Sequence, residues 1–262
     1  MGKYAKEYAK MLYRYWVKYS SILMNPSELF DIPISIRGNV LKAMVCRSKY
    51  LGCYKEFTDS IKNHGIKWTQ EDSLTSFNRI FNNNNHNGLS EWYTKALSIL
   101  ADHEKLYLRF MLLSGVRKEE GLKSFNMLVS LQSKFTEYYN MDTGFLEHYK
   151  YPKLFLRNTK NVYVTAIPIE IVKDIANSKT VSVSTIRKKL NKHGLGLRIK
   201  ELRSFYATTM RNLGLLSEQI DLVQGRIGKS IFLQHYFKQN PKPLSHKIIR
   251  LLPRVENALI IP

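Results

Sequence analysis

The run FNNNNHNG at residues 81–88 sets the first limit on how this chain can fold. Consecutive asparagines disfavour helix, and none of them can fill an apolar core. Whatever lies on either side must bury a core of its own. We therefore expect a helical domain over residues 1–82, a linker over 83–88 and a larger domain over 89–262.

The first part reads as helix. Over residues 3–19, Lys3, Lys6, Lys10, Arg14 and Lys18 recur at spacings of three or four and form one cationic stripe. Tyr4, Tyr8, Met11, Leu12, Tyr15 and Trp16 supply apolar bulk elsewhere on the same helix. The stripe is either a solvated face or a surface for phosphates. Asn25-Pro26 and Ile32-Pro33 punctuate the chain. A second helix follows Ser35, carries Arg37 and Lys42, and ends near Gly52. A third covers residues 54–63 and a fourth about 70–81.

In the second part, Ser90 has the chemistry of an N-cap, with Glu91 in the first turn. The helices SEWYTKALSILAD and HEKLYLRFMLL follow, and the latter stops at Ser114-Gly115. Arg117 stands at the start of the next helix, in SGVRKEEGL, where it can point out of the core or pair with Glu119 or Glu120. In KLFLRNTKNVYVTAI, residues 153–167, β-formers flank Arg157 to Asn161 and predict a hairpin with Lys160 at or beside its turn. Pro168 closes that hairpin, and IEIVKDIAN opens another helix. Ser184 is expected to cap a basic helix, TIRKKLNKHG, ended by Gly194. Arg187, Lys188, Lys189 and Lys192 make it the densest positive element, of a kind that commonly lies against DNA phosphates. Over residues 200–213 a helical wheel puts Lys200, Arg203, Ala207 and Arg211 on one side. Leu202, Phe205, Tyr206, Thr209 and Leu213 fall on the other, and Gly214 stops the helix. The fold class is mainly α with a small β-hairpin, an α+β chain.

Charge narrows the function. The formal net charge is +20 and the pI about 9.8. Residues 1–85 hold 13 Lys and Arg against 7 Asp and Glu, and the remainder holds 28 against 14, so both parts can meet phosphate. With 44% hydrophobic residues the chain is not a disordered basic tail. Cys46 and Cys53, with no second pair, argue against a disulfide framework and against a zinc site. The 7 His residues lack metal-pair spacing, so neither metal nor cofactor is expected. No apolar run reaches about 18 residues and no signal peptide is recognisable, so membrane insertion and secretion are not expected.

Lys200, Arg203, Arg226 and Tyr236 stand in order within KELRSFYATTMRNLGLLSEQIDLVQGRIGKSIFLQHYF, residues 200–237. A tyrosine with several cations that can converge on it is what phosphodiester cleavage by a protein nucleophile requires. LRSFYATTM holds Arg203, QGRIGKS holds Arg226 after Gly225, and FLQHYF holds Tyr236, at separations of 23 and 10 residues. With SGVRKEE around Arg117 and RNTKNVYV around Lys160, this order resembles the tyrosine recombinases, or phage-integrase family. That family's boxes commonly read T-G-L-R-x-x-E, then L-R-H-x-F-A-T-x-x, then G-H, then Tyr. Lys200 stands where the family usually has His, and Arg226 where it has His or Trp. Both departures together resemble the integrases of spindle-shaped archaeal viruses and related archaeal elements. The resemblance spans residues 108–238; the first part is similar only in style, as a basic helical core-binding domain.

The resemblance implies a site-specific recombinase in which Tyr236 attacks the scissile phosphorus and leaves a 3′-phosphotyrosine and a free 5′-hydroxyl. Strand exchange through a Holliday junction would follow. Arg117 and Arg203 would hold the non-bridging oxygens, Arg226 would donate a hydrogen bond, and Lys160 would protonate the leaving oxygen. Lys200 would act through charge and position, since lysine is a poor acid or base near neutral pH. His235, beside Tyr236, would point away from it and serve packing or a phosphate contact. The implied partners are double-stranded DNA at an attachment-type site and further copies of the chain, a tetramer in the synaptic complex and a monomer when free. The implied location is the cytoplasm of the host cell. A type IB topoisomerase-like relaxing enzyme and a non-catalytic architectural DNA-binding protein are the competing readings. The apolar tail after Tyr236, with KIIRLL and ALIIP, would dock on a neighbouring protomer or on its own domain.

Overall fold

The computed structural model describes residues 6–66, 74, 77, 88–157, 161–226 and 238–260. The chain forms two compact units, residues 1–83 and 84–262. The fold is mainly α with a small antiparallel sheet.

In the smaller unit, helix α1 (Lys6–Lys18) packs against α2 (Ile34–Leu51), and α3 (Tyr54–Asn63) follows. Two 3-10 turns, Ser20–Leu23 and Pro26–Asp31, join α1 to α2. Pro26 begins the second turn, and Pro33 ends the approach to α2, because proline cannot donate into a preceding turn. Gly52 ends α2 at φ +79, a left-handed conformation that a residue with a Cβ rarely adopts. Leu12, Ile22, Leu29, Leu41, Met44, Phe57 and Ile61 form the core. The expected fourth helix and the linker lie outside the described residues, apart from Leu74, Phe77 and Gly88.

The larger unit is built around α5 (Asp102–Ser114). Tyr107, Leu108, Phe110, Met111, Leu112 and Leu113 are all buried, so beyond its charged first turn this helix is apolar on nearly every side, as an interior helix must be. Around it lie α4 (Leu89–Ile99), α6 (Lys118–Leu131), α7 (Ile169–Ala176), α8 (Val183–Lys192), α9 (Ile199–Asn212) and α10 (Ser217–Val223). Helix α11 (Pro241–Ile260) lays Leu244, Ile248, Leu251, Leu252, Val255 and Leu259 against α4, α5, α9 and the sheet. Arg109 on α5 clasps Glu256 with Nε and Nη2, at 2.6 and 2.9 Å. Residues 241–260 of the tail thus dock on their own domain.

The sheet differs from the expected hairpin. Its strands are β1 (Tyr139–Asn140), β2 (Phe145–Leu146) and β3 (Thr165–Ala166), in the order β1-β2-β3. Residues 165–166 therefore pair with 145–146, Phe145 opposite Ala166, and not with 153–156. The intended first arm is a helical turn, Pro152–Phe155, because Pro152 is pre-set for a helix start and Phe155 buries its ring. Among the described residues an isolated bridge, Leu156 to Asn161, is what remains of the hairpin pairing. Two caps also move. Gly88 at φ +68 precedes α4 in place of Ser90, and Ser182 precedes α8 in place of Ser184. In each case the chain enters the helix two residues earlier than side-chain capping chemistry suggested.

Candidate active site

Two turns bring the cations together. The α5–α6 turn passes through Gly115 at φ +59, with the ring of Tyr206 on α9 directly against it. A Cβ there would sit 2.3 Å from the ring, so only glycine lets this turn lie on α9. Two residues later Arg117 takes the N-cap position of α6, at the mouth of the turn. The α10 turn passes through Gly225 at φ +66, where a Cβ would meet the Asn161 carbonyl oxygen at 1.8 Å. Arg226 follows, its backbone N–H held by Asp221 O at 2.7 Å.

Arg203 binds the two turns to each other. Its Nη1 donates to Gly115 O and its Nη2 to Gln224 O, each at 3.0 Å. Both carbonyls stand two residues before an arginine of the set. Gln224 closes the clasp by donating Nε2–H to Arg203 O at 3.2 Å. A planar fork holds two carbonyls in one fixed plane through separate nitrogens, a geometry that a lysine's single nitrogen does not impose. Arg203 is 8% exposed, covered by the Gly115 and Gln224 turns, while Lys200 and Arg211 on the same side of α9 are exposed. Burial first, then the charges of Arg117 and Arg226, push its pKa down to about 9, against a smaller pull upward from Glu120 and Asp221. The group remains charged at neutral pH, but at a cost that an anion would relieve.

Arg117 donates Nη1–H to Asn161 O at 3.2 Å and lies 4.0 Å from the buried carboxylate of Glu120. Glu120 also accepts from Arg157, whose backbone N–H is bound by Asn161 Oδ1. Asn161 therefore braces Arg117 and Arg157 and lies directly against Gly225. Arg226 is half exposed and pairs loosely with Asp221 at 3.8 Å.

Arg117, Lys200, Arg203 and Arg226 line one cleft of about 930 Å³, with Arg187, Arg198 and Lys118 on its walls. Lys160 and Tyr236 lie outside the described residues, as do His235 and Lys3. Among the other expected DNA contacts, Lys10, Arg14 and Lys18 are exposed on α1 and Lys42 is exposed on α2; Lys6 lies in α1. Lys188 and Lys192 are exposed on α8. Arg37 turns inward and donates to Phe30 O and Ile32 O, and Lys189 pairs with buried Glu104 at 2.7 Å. The supporting residues Glu120, Asn161 and Gln224 were not singled out from sequence. Glu120 was visible only as a surface partner of Arg117, and the other two act largely through backbone atoms, which no residue pattern reports.

Residues 90–242, more than half of the chain, match the family model described as archaeal phage integrase. The chain belongs to the archaeal phage integrase family. It is accordingly a recombinase of the integrase kind, with DNA as its partner. No curated protein and no solved structure gave a match. Among the described residues of this integrase, no three His, Cys, Asp or Glu side chains are grouped so as to hold a metal ion. No helix among them is long and apolar enough to cross a membrane.

Proposed function

We propose that this integrase cleaves and rejoins DNA through a 3′-phosphotyrosine on Tyr236 and exchanges strands by way of a Holliday junction. The observation that carries the reading is the convergence of Arg117, Arg203 and Arg226 on one cleft, with Arg203 gripping the turns that bear the other two. A phenol has a reference pKa of about 10 and needs neighbouring cations to react as phenolate. Tyr236 Oη, having lost its proton to solvent, forms the new bond to phosphorus as the P–O5′ bond breaks. Arg117, Arg203 and Arg226 offset the charge that builds on the non-bridging oxygens. Lys160 gives its proton to the departing O5′, a contribution of about 10²–10⁴-fold. Attack by the 5′-hydroxyl of a partner strand, with Lys160 taking the proton, releases Tyr236 and joins the strands.

The smaller unit binds duplex DNA through the α1 stripe and Lys42, and Lys188 and Lys192 add contacts from α8. Four copies assemble in the synaptic complex. Arg37 and Lys189 serve this role indirectly, by holding the elements that carry the exposed cations.

A nicked suicide duplex tests the proposal, because on cleavage it loses the short fragment that carries the new 5′-hydroxyl and traps the covalent adduct. The wild-type chain is expected to form the adduct, and Tyr236→Phe to form none while binding DNA nearly as well. An adduct that survives Tyr236→Phe would sink the reading. Exchange between two labelled duplexes then separates recombination from relaxation of a single duplex.

A further inference from the structure

One backbone oxygen is shared by the segments that carry Arg117 and Arg226. Asn161 O accepts from Arg117 Nη1 at 3.2 Å, and the Gly225 turn lies so close that a Cβ on Gly225 would fall 1.8 Å from the same oxygen. The direction of that carbonyl therefore governs where the Arg117 guanidinium rests. A carbonyl inside a regular ladder is held by its neighbours on the paired strand. Asn161 stands in no strand; among the described residues its pairing is the single bridge to Leu156. Something else must fix it.

The Asn161 side chain supplies that restraint. Its Oδ1 accepts from the Arg157 backbone N–H at 2.6 Å, and its Nδ2 donates to Tyr163 Oη at 3.2 Å. Each partner is tied elsewhere. Tyr163 O accepts from Tyr149 N–H at 3.1 Å, next to buried Val162. The Arg157 guanidinium donates to Glu120, on the helix whose N-cap is Arg117, and Glu120 Oε1 lies 4.0 Å from Arg117. Arg117, Asn161, Arg157 and Glu120 thus close a circuit, and Asn161 is its one uncharged member. A carboxamide suits that post, because it offers an acceptor and a donor in one plane and adds no charge beside the arginines. Arg117 lines the cleft and Asn161 does not. We propose that Asn161 is a positioning residue for cleavage, whose carboxamide fixes its own backbone carbonyl and, through it, the seat of Arg117 at the phosphate. The proposal rests on the cleavage reading above and adds to it what holds Arg117 in register.

The test uses the full chain and the nicked suicide duplex, at a temperature where circular dichroism shows each variant folded. A misplacement of about 1 Å at a reacting centre costs on the order of 100-fold, so Asn161→Ala is expected to lower the saturating rate by roughly 10- to 100-fold. The half-saturating DNA concentration should stay nearly unchanged, as for an interaction felt in the transition state. Tyr163→Phe removes one anchor of the carboxamide and should give a smaller loss of the same kind. The double variant Arg117→Ala/Asn161→Ala should be no slower than Arg117→Ala, because the seat then has no occupant. General loosening of the domain would instead multiply with the loss of Arg117, and that result overturns the proposal. If Asn161→Ala does not fold, the same cycle is run with Tyr163→Phe. A substrate with sulfur in place of the bridging O5′ departs as a thiolate and needs no proton. The Asn161→Ala defect should persist on it; recovery to the wild-type rate would put the defect on Lys160, the preceding residue, and overturn the seat. Absence of any wild-type adduct would fail the cleavage reading alone. The seat is then decided without cleavage, by the Arg117 Nε–H signal in nitrogen-15 spectra of the DNA-free chain. That signal should move in Asn161→Ala, and an unmoved signal overturns the proposal.

Discussion

Two polar clusters inside residues 84–262 solve the problem of buried polarity in opposite ways. In the first, Tyr138 Oη sits between Ser124 Oγ and His148 Nδ1, and His148 Nε2 reaches Thr165 Oγ1 at 2.7 Å. All four residues are buried and uncharged. Desolvation pushes the pKa of His148 down to about 3, so the imidazole stays neutral and offers one donor and one acceptor, as the chain of bonds needs. Nothing there is left for a ligand. In the second cluster, Arg117, Arg203 and Arg226 hold like charges together, and the atoms that steady them are mostly backbone carbonyls. Glu120 and Asp221 offset only part of the charge, so a net positive charge stays turned toward a cleft. A closed neutral network stabilises a fold; a charged one with a net positive excess is poised for an anion.

Substitutions at four positions test this contrast. The largest effect is expected from Arg203→Ala, which removes one guanidinium from the cleft and unties both turns. Adduct formation should fall by about 10²–10³ or more, a loss typical of a transition-state donor. Arg203→Lys should not restore it, because an ammonium cannot bridge Gly115 O and Gln224 O in the same plane. An Arg203→Ala chain that melts earlier yet cleaves at the wild-type rate would reduce the arginine cluster to a structural one.

Gly225→Ala comes next. Its Cβ would meet the Asn161 carbonyl at 1.8 Å, so the Arg226 turn and the Asn161 loop must separate. A displacement of about 1 Å at a reacting centre costs on the order of 100-fold, and the suicide-substrate rate should fall by that order. Wild-type cleavage in this variant would show that the two turns tolerate movement.

His148→Gln should act on stability alone. Breaking the buried chain costs about 1–3 kcal/mol in denaturant unfolding at pH 7, while the folded protein still forms the adduct. The sign with pH follows from the depressed pKa. The unfolded chain protonates His148 below about 6.5 and the folded chain only below about 3, so stability is lost as pH falls through that window. The advantage of wild type over His148→Gln should therefore shrink between pH 7 and pH 4, as unfolding curves at both values would show. A cleavage defect in His148→Gln would blur the contrast between the clusters.

The smallest effect is expected for Lys242→Ala. Its pair with Asp142 at 2.5 Å is exposed on both sides and belongs to neither cluster, so the change should stay within about 0.5 kcal/mol.

Much of this organisation could be read from residues alone. Helix α3 follows the expected 54–63 span, Pro168 precedes α7, and Gly214 follows α9. These are local events, set by periodicity and by residues with special backbone freedom. The errors share a different cause. Residues 165–166 look like one arm of a local hairpin, yet their partner strand lies twenty residues earlier, at 145–146. Strand pairing is decided by what the rest of the domain leaves available, and no window around residue 165 contains that information.

The same division runs through the site. The order Arg117, Lys200, Arg203, Arg226 along the chain, the excess of positive charge and the helical face of residues 200–211 belong to the sequence by itself, because spacing and charge survive without a fold. Only the tertiary structure decided that Arg203 is buried and bridges two turns, while Lys200, three residues away on the same helix, is exposed and has no partner among the described residues. A helical wheel gives the direction of a side chain but not what packs over it. What covers Arg203 is the backbone of two distant glycine turns, and those turns meet only when the domain has closed around α5.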